Sequence, residues 1–338
     1  MEPGTVLGGR FAIERQAASG GMGTVFRASD LLDNTTVALK LLRGTEAVDI
    51  ERFEREARIL SELSHPGIVR YVSHGTTTTG ERYLAMEWLE GEDLAARLAR
   101  RPLSPLESVM VLRKAAEALA YAHEHRIVHR DIKPSNLFLV AGDVRRLKVV
   151  DFGIARPDRD TVRLTYTGGI LGTPGYIAPE MLEGEPTREP QADVFSLGCV
   201  LFECVAGRPA FEGAHLMAAL AKLLFQEPPR LRELKPGVPE PLERLIGRMM
   251  AKSPPERPRD GAAICEELDA IEEVLADWAL PEDRSTMVSS ASPIVASRPP
   301  DSLTLHEQRL VSLVLAGDPD ARRAALDAGA PDSRLDVV

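Results

Sequence analysis

The chain has 338 residues, 44% of them hydrophobic, so it is long enough for two or three compact units with a substantial core. Its formal net charge of −10 at pH 7 argues against general nucleic-acid binding. Three cysteines, at 199, 204 and 265, fit neither a zinc site nor a disulfide framework and favour a reducing compartment.

Two further patterns concern the membrane. No apolar run follows Met1, so we expect no signal peptide. No stretch of about 18 apolar residues occurs, so we expect no membrane-spanning segment. Together with the cysteine content, these patterns predict a cytoplasmic chain.

The first motif is a glycine-rich stretch after the strand-like residues 11–13. It runs from Ala18 to Phe26 and includes Gly20 and Gly23. Glycine allows tight turns and lets backbone N–H groups approach phosphates closely. Alone the stretch is weak evidence for phosphate binding. A Walker-type phosphate loop is absent, which argues against a P-loop ATPase.

The segments that follow alternate between strand and helix patterns. Residues 37–40 form an apolar strand that ends in Lys40. Residues 49–63 place apolar side chains at three- and four-residue spacing, which predicts a helix that carries Glu56. Residues 68–72 and 83–88 are strand-like and are joined by a polar, threonine-rich turn.

A cluster of polar residues surrounds a predicted β-hairpin in the middle of the chain. Asp131 and Asn136 precede two apolar runs, 137–140 and 147–150, and Asp151 follows them. Such a hairpin folds Asp151 back beside Asn136 and Asp131. Carboxylate and amide oxygens of this kind suit Mg²⁺, although three unrelated surface residues are the alternative.

The second half of the chain is mainly helical in pattern. Helices are predicted at 106–125, 194–206, 216–225, 242–251 and 261–278. His123 and His125 lie on the first of these helices, but with one residue between them they point to different faces. We therefore expect no metal site there, and we expect His129 to be a core histidine beneath the loop of Asp131.

These motifs together resemble those of the protein kinase family, over roughly residues 11–278. The matching segments are the glycine-rich stretch, the strand ending in Lys40, the run from His129 to Asn136, Asp151-Phe152-Gly153, and residues 172–180. The chain departs from the family pattern at Ala18, which stands where the first glycine is usual. Lys133, two residues after Asp131, is typical of Ser/Thr kinases.

The resemblance implies an α+β fold with two lobes. The N-lobe, about 1–89, would be β-rich with one major helix, and the C-lobe, about 90–278, would be mainly helical. Residues 279–304 are rich in Ser and Pro and are predicted to be a linker. Residues 305–338 would be the start of a further domain or a docking tail.

The resemblance also implies roles for individual residues in phosphoryl transfer from ATP, with Mg²⁺ or Mn²⁺ held by Asn136 and Asp151. The catalytic set is Asp131, Lys133, Asn136, Lys40 and Glu56, with Glu56 pairing with Lys40. The nucleotide-binding set is Ala18, Gly20, Gly23, Val25, Ala38, Lys40, Met86, Glu87, Leu89, Asp93, Phe138 and Asp151. In this reading Glu87, Trp88 and Leu89 form the hinge between the lobes, and Asp93 contacts the ribose.

Three further features follow from the resemblance. Thr165 and Thr167 would be autophosphorylated, and Arg130, Arg156 and Arg52 would hold the phosphate. Glu180 would pair with Arg257. Asp193 would brace the backbone of His129 and Arg130.

The implied partners are proteins with Ser or Thr acceptors, and a second copy of the chain for trans-autophosphorylation; nucleic acid is not expected. Two alternatives remain open. One is a pseudokinase that binds without turnover, which the presence of Lys40, Asp131, Asn136 and Asp151 disfavours. The other is a small-molecule kinase of related fold, which residues 172–180 disfavour. Incubation with labelled ATP, Mg²⁺ and a generic Ser/Thr protein separates all three.

Overall fold

The computed structural model describes residues 1–20, 23–42, 53–54, 57–58, 60–77, 79–152, 174–182, 189–213 and 215–279. Several residues singled out by the sequence lie outside this part of the chain: Arg52, Glu56, Arg156, Thr165, Thr167 and nearly all of the predicted linker and tail.

The N-terminal lobe is built on a six-stranded antiparallel sheet. Its strands are β1 (Val6–Leu7), β2 (Phe11–Gly20), β3 (Gly23–Asp30), β4 (Thr36–Leu42), β5 (Tyr71–Thr76) and β6 (Arg82–Glu87), in the spatial order β1-β2-β3-β4-β6-β5. The predicted strands at 11–13, 37–40 and 83–88 are confirmed. The prediction at 68–72 was wrong in its start, because the strand begins at Tyr71.

Alternation along the strands gives this sheet two different faces. One face buries a compact cluster that includes Phe11, Phe26, Leu39 and Ala85. Met86 belongs instead to the larger core of the molecule, which continues into the second lobe. One face of the sheet therefore packs within the first lobe, and the other face packs against the larger core.

The helix predicted at 49–63 is confirmed where the chain is described. Residues 53, 54, 57, 58 and 60–62 are helical. Phe53 and Ala57 are buried in the larger core, four residues apart on one face of the helix. This helix therefore packs its apolar face into the larger core of the molecule.

The second lobe is mainly helical. Its helices are α1 (Leu94–Arg100), α2 (Pro105–Glu124), α3 (Pro179–Leu182), α4 (Gln191–Ala206), α5 (Leu216–Phe225), α6 (Leu231–Leu234), α7 (Glu240–Met249), α8 (Gly261–Ala270) and α9 (Glu272–Ala279). Every predicted helix is present. Three predicted helices differ in their bounds by two residues or more. The segment 261–278 is broken at Ile271, and α4 begins at Gln191, so that Asp193 lies in its first turn. Helix α7 begins and ends two residues before the predicted 242–251.

Two helices form the centre of this lobe. Helix α2 begins with a capping box, in which the Ser104 hydroxyl accepts from the Glu107 N–H at 3.2 Å and the Glu107 carboxylate accepts from the Ser104 N–H at 2.9 Å. Helix α4 is apolar nearly all round and is almost entirely buried. It ends at Gly207, whose φ of 78° is the left-handed conformation that favours glycine.

A small three-stranded sheet lies where the lobes meet. It consists of β7 (Gly91–Asp93), β8 (Leu137–Val140) and β9 (Leu147–Val149), in that order. Strands β8 and β9 form the predicted hairpin, which is confirmed. The whole arrangement confirms the predicted two-lobed α+β fold. None of the described helices has both the length and the apolar character needed to cross a membrane.

Close packing of α8 on α2 generates the first prediction. A Cβ at Gly261 would lie 2.4 Å from the Ala120 nitrogen and 2.6 Å from the Ala116 oxygen, both backbone atoms that cannot rotate away. Gly261→Ala should therefore lower the free energy of unfolding by about 1–3 kcal/mol, measured by urea denaturation.

Gly247 is the matched control, because a Cβ there meets no atom within 4 Å. It lies inside α7, so Gly247→Ala should stabilise the chain by about 0.5–1 kcal/mol. Equal effects of the two substitutions would contradict the packing argument.

Candidate active site

A short loop after α2 brings three predicted residues together. The Lys133 ammonium lies 2.8 Å from Oδ2 of Asp131. Residues Pro134–Asn136 form one 3-10 turn that folds back, so the Asn136 amide donates to the Asp131 carbonyl at 2.7 Å and to its Oδ2 at 3.1 Å. Asp131 is only 8% exposed, so its position is set by these contacts.

Asp193 holds this loop from below, as the resemblance implied. Its carboxylate is fully buried and accepts the backbone N–H groups of His129 and Arg130, both at 2.7 Å. It also lies 3.0 Å from Nε2 of His123. The Gly261 N–H donates to the other ring nitrogen of His123, which places that histidine's proton on Nε2, facing Asp193. Burial alone would raise the pKa of Asp193, but the hydrogen bonds from His123 and from the His129 N–H hold it below its usual range.

His129 joins the loop to the strand that leads to Asp151. Its Nε2 donates to the Val150 carbonyl at 2.9 Å, and its Nδ1 accepts the Asp131 N–H at 3.2 Å. The ring is fully buried and lies 4.6 Å from the ring of Phe152. Burial lowers the pKa of His129, so the ring is neutral in the tautomer that both hydrogen bonds require.

Asp151 follows β9 and faces the first lobe. The Val150 N–H donates to the Asn136 carbonyl at 3.0 Å, which places the Asp151 turn beside the loop of Asp131. Oδ1 of Asp151 lies 2.8 Å from the ammonium of Lys40, which is 8% exposed at the far side of the cleft. The expected partner of Lys40, Glu56, lies outside the described residues.

The oxygens of this group fit a divalent metal ion. The Asn136 amide uses its nitrogen twice toward Asp131, so its oxygen is turned away from that residue. Among the described residues no group of three or more His, Cys, Asp or Glu forms a self-sufficient metal site. Mg²⁺ commonly binds one or two carboxylates together with phosphates of the substrate, which is the set that Asp151 and Asn136 can complete.

Strand register places the predicted nucleotide-binding side chains of the first lobe on one face. Ala18 is opposite Val25, Val25 is opposite Lys40, and Ala38 is opposite Met86. Directly opposed residues of an antiparallel pair share a face, and so do residues two apart on a strand. The five side chains therefore lie on the same side of the sheet, the side of Asp151.

Gly23 has a conformation that requires glycine. Its φ is 150°, and a Cβ there would lie 1.9 Å from the Leu41 carbonyl oxygen. Gly20 is its partner across the strands. The two glycines are the residues at which β2 ends and β3 begins.

The segment between the lobes begins at Glu87, the last residue of β6, and continues with Trp88 and Leu89. Asp93 is the N-cap of α1, and its Oδ1 accepts the Ala96 N–H at 2.8 Å. Phe138 lies opposite Asp93 across β7 and β8. Asp93 thus has a capping role that the sequence analysis did not predict.

A cavity of about 400 Å³ lies beside Lys133 on the second lobe. Its wall includes Ser135, Tyr176 and Glu203, and the Tyr176 hydroxyl donates to the Glu203 carboxylate at 2.5 Å. Burial raises the pKa of Glu203. The sequence analysis missed this pair, because nothing local links a tyrosine to a glutamate 27 residues later.

The predicted pair of Glu180 and Arg257 is confirmed. Two guanidinium nitrogens of Arg257 donate to the two carboxylate oxygens of Glu180, at 2.7 and 2.9 Å. Arg257 also donates to the carbonyls of Ala251, Gln191 and Lys252, so it is tied to the start of α4 and to the chain after α7. This bidentate pair, with its guanidinium fully buried, fixes α3 to the start of α4.

The neutral state of His129 generates a prediction for pH dependence. Its folded pKa is below the unfolded value of about 6.5, so below that pH the unfolded chain binds a proton that the folded chain does not. This contribution to stability is present above pH 6.5 and is lost as the pH falls toward the folded pKa, with a slope of up to about 1.4 kcal/mol per pH unit.

We expect His129→Phe to show a shallower loss of unfolding free energy between pH 7.5 and 5.5 than wild type. At pH 7.5 the variant should be less stable by about 1–3 kcal/mol, because the Asp131 N–H and the Val150 carbonyl lose a partner. His125→Phe, at an exposed position, is the control. An unchanged slope in His129→Phe would refute this assignment.

Comparison with known proteins agrees with these features. The family model described as "Protein kinase domain" matches residues 11–268. Serine/threonine-protein kinase PrkC of Bacillus subtilis is 37% identical over 255 residues, which are 74% of this chain and 39% of that protein. Serine/threonine-protein kinase PknE of Mycobacterium tuberculosis is 38% identical over 253 residues, covering 74% of this chain and 44% of that protein.

This chain thus spans less than half the length of these two relatives. Among solved structures, a crystal structure of Rad53 1-466 in complex with AMP-PNP superposes with a TM-score of 0.64 at 23% identity, covering 80% of this chain and 66% of that one. At this identity the likeness concerns the fold. The family match covers more than half of the chain, both lobes and the polar cluster between them, and the chain therefore belongs to the protein kinase family.

Proposed function

We propose that this chain transfers the γ-phosphoryl group of ATP to Ser and Thr hydroxyls of proteins. The observation that carries this proposal is the convergence of Asp131, Lys133, Asn136 and Asp151 on one side of a cleft, with Lys40 on the other side. Kinase chemistry depends mainly on positioning and charge stabilisation, which such an arrangement supplies. Relatives named serine/threonine-protein kinases support the acceptor type.

In this proposal each residue has a defined task. Asp131 orients the acceptor hydroxyl and receives its proton as the new oxygen–phosphorus bond forms. Lys133 donates to the phosphoryl group in transfer, while the bond between the γ-phosphorus and the bridging oxygen breaks and ADP leaves. Lys40 contacts the α- and β-phosphates.

Asn136 and Asp151 would hold the divalent metal ion, Mg²⁺ or Mn²⁺. When bound, such an ion neutralises negative charge on the phosphates. The chain's own contribution is to fix the two ligands: Asn136 through its bonds to Asp131, and Asp151 through the backbone bond between Val150 and Asn136.

Residues of the first lobe would enclose the adenine. Val25 and Ala38 would cover one side of the base, and Met86 would lie behind it. Backbone groups of Glu87 and Leu89 would contact its edge. Two observations support this placement: Val25, Ala38 and Met86 share one face of the sheet, and that face lies on the side of Asp151.

Asp131→Asn tests the reaction. The variant should still bind ATP but transfer phosphate about 10²–10⁴-fold more slowly, because a positioned acid–base group is lost. The measurement is incorporation of labelled phosphate into a generic Ser/Thr protein, followed by phosphoamino-acid analysis, which should yield phosphoserine and phosphothreonine. Lys40→Met should also lose most activity.

Asp143→Asn is the matched control, since Asp143 is a turn carboxylate of the β8–β9 hairpin whose Oδ1 accepts the Arg145 N–H, a bond that asparagine retains. It should keep wild-type activity. Near wild-type turnover by Asp131→Asn, or a predominance of phosphotyrosine, would overturn the proposal.

We also propose that phosphorylation of Thr165 or Thr167, in trans between two copies, activates the enzyme. A phosphothreonine brings about −1.5 to −2 charges. Arg130 directly precedes Asp131, and with Arg52 and Arg156 it would hold that group through charge-assisted hydrogen bonds.

Changing both Thr165 and Thr167 to Ala should lower activity about 10- to 100-fold, the equivalent of one or two charge-assisted hydrogen bonds, with the fold intact. Mass spectrometry of the wild type should find phosphate at one of the two positions. Thr76→Ala, at the exposed end of β5, is the control. Full activity of the double variant and no phosphate at either position in the wild type would exclude this switch.

A further inference from the structure

A short segment before β5 connects the two lobes through backbone hydrogen bonds. On one side, the Val149 N–H donates to the Gly67 carbonyl at 2.8 Å and the Val69 N–H donates to the Val149 carbonyl at 3.0 Å. On the other side, the Glu87 N–H donates to the Arg70 carbonyl at 2.9 Å. Residues 67–70 therefore lie between β9 and the end of β6.

Two side chains close the same connection. The Glu87 carboxylate accepts the Arg70 N–H at 2.8 Å and the Lys148 ammonium at 2.7 Å, both on Oε1. The Lys148 ammonium also donates to the Ile68 carbonyl at 3.3 Å. Lys148 thus reaches from the second lobe across the segment to a residue of the first lobe.

Strand alternation explains the direction of Lys148. Its neighbours Leu147 and Val149 are buried on the other face of β9. The side chains of Lys148 and Glu87 are 19% and 22% exposed, so water screens their attraction less than at an open surface. The contact joins an ammonium and a carboxylate, and hydrogen bonds between charged groups are stronger than those between neutral groups.

The positions of the two residues give the contact a consequence for the site. Glu87 directly precedes Trp88 and Leu89 in the segment between the lobes. Lys148 lies on β9, the strand that leads to Asp151, and precedes Asp151 by three residues. A rotation of one lobe against the other acts on the Glu87–Lys148 contact, because its two ends belong to different lobes.

We propose that Glu87 and Lys148 form an interlobe latch that slows nucleotide release. Both are positioning residues: Lys148 acts through the Asp151 strand, and the Glu87 carboxylate acts through the backbone that follows it. This inference rests on the proposed function, since it requires that the cleft binds a nucleotide.

The test compares wild type with Lys148→Met, Glu87→Gln and the double variant. Glutamine keeps an oxygen that can accept the Arg70 N–H, so Glu87→Gln removes the charge that faces Lys148 and little else. Each single variant should release Mg²⁺-bound mant-ADP about three- to ten-fold faster, measured by stopped-flow fluorescence. The double variant should release it no faster than the single variants, because all three lack the same pair of opposite charges.

Lys114 and Glu117 are the matched control, because they form an ion pair of the same 2.7 Å length within α2. Lys114→Met and Glu117→Gln should leave the release rate unchanged. Lys148→Arg should restore a rate close to wild type, since it keeps the charge and the reach. The melting temperature of every variant shows whether a change in release rate comes from a loss of stability or from a change in positioning. If Lys148→Met does not fold, the release rate of Glu87→Gln tests the inference.

Four results would overturn the inference. Unchanged release in folded Lys148→Met and Glu87→Gln, with a lower melting temperature, would show a purely structural pair. A higher kcat with unchanged release would show that the contact restrains the enzyme rather than the nucleotide. Equal effects of the control variants would remove the link to this contact. A wild type that binds no mant-ADP would overturn the proposed function itself, and the latch with it.

Discussion

The buried carboxylate of Asp193 is the constraint on which the site depends. Burying a carboxylate costs free energy unless hydrogen-bond donors surround it. Asp193 is fully buried and accepts three hydrogen bonds, from His129, Arg130 and His123. Two of these are backbone groups of the loop that presents Asp131. The third connects α2 and, through Gly261, the start of α8. The helical lobe therefore positions the loop through one carboxylate that cannot be removed without leaving several buried donors unpaired.

This support also explains how strained backbone persists in the site. Arg130 and Asp151 have φ values of 64° and 59°, in the left-handed region that is unfavourable for residues other than glycine. Such conformations cost on the order of 1–3 kcal/mol each and persist where the surroundings determine them. The bonds of Arg130 to Asp193, and of Val150 to Asn136 and His129, are those surroundings. The strain lies at the two residues that set the directions of Asp131 and Asp151.

Among the described residues, several of the polar contacts between the lobes involve the strand or turn of Asp151. Lys40 reaches Asp151 from β4, and Glu87 reaches Lys148 from the end of β6. Residues 67–70 lie between the lobes and bond to both. The position of Asp151 is consequently coupled both to the second lobe, through His129, and to the first, through these pairs.

Local sequence determined the elements and much of the polar cluster. The β8–β9 hairpin, the helix that begins at Ser104 and the strand that ends in Lys40 each depend on neighbouring residues, so their patterns could be read directly. Motif spacing likewise identified Asp131, Asn136 and Asp151 as a group. Helix ends were harder to predict. No glycine or proline marks the break at Ile271. The first turn of α4 lies before the apolar pattern by which the helix was predicted.

Tertiary structure decided the pairings between distant residues. Residues 68–70 have a strand-like pattern, yet they bond to Val149 and Glu87 because the lobes meet there. Lys148 and Glu87 are 61 residues apart, and His123 and Asp193 are 70 apart. Periodicity describes which face of an element is buried, but it carries no information on which charged group of another element will lie opposite. That choice depends on how the elements pack, because a half-buried charge is stable only where the fold brings it a partner.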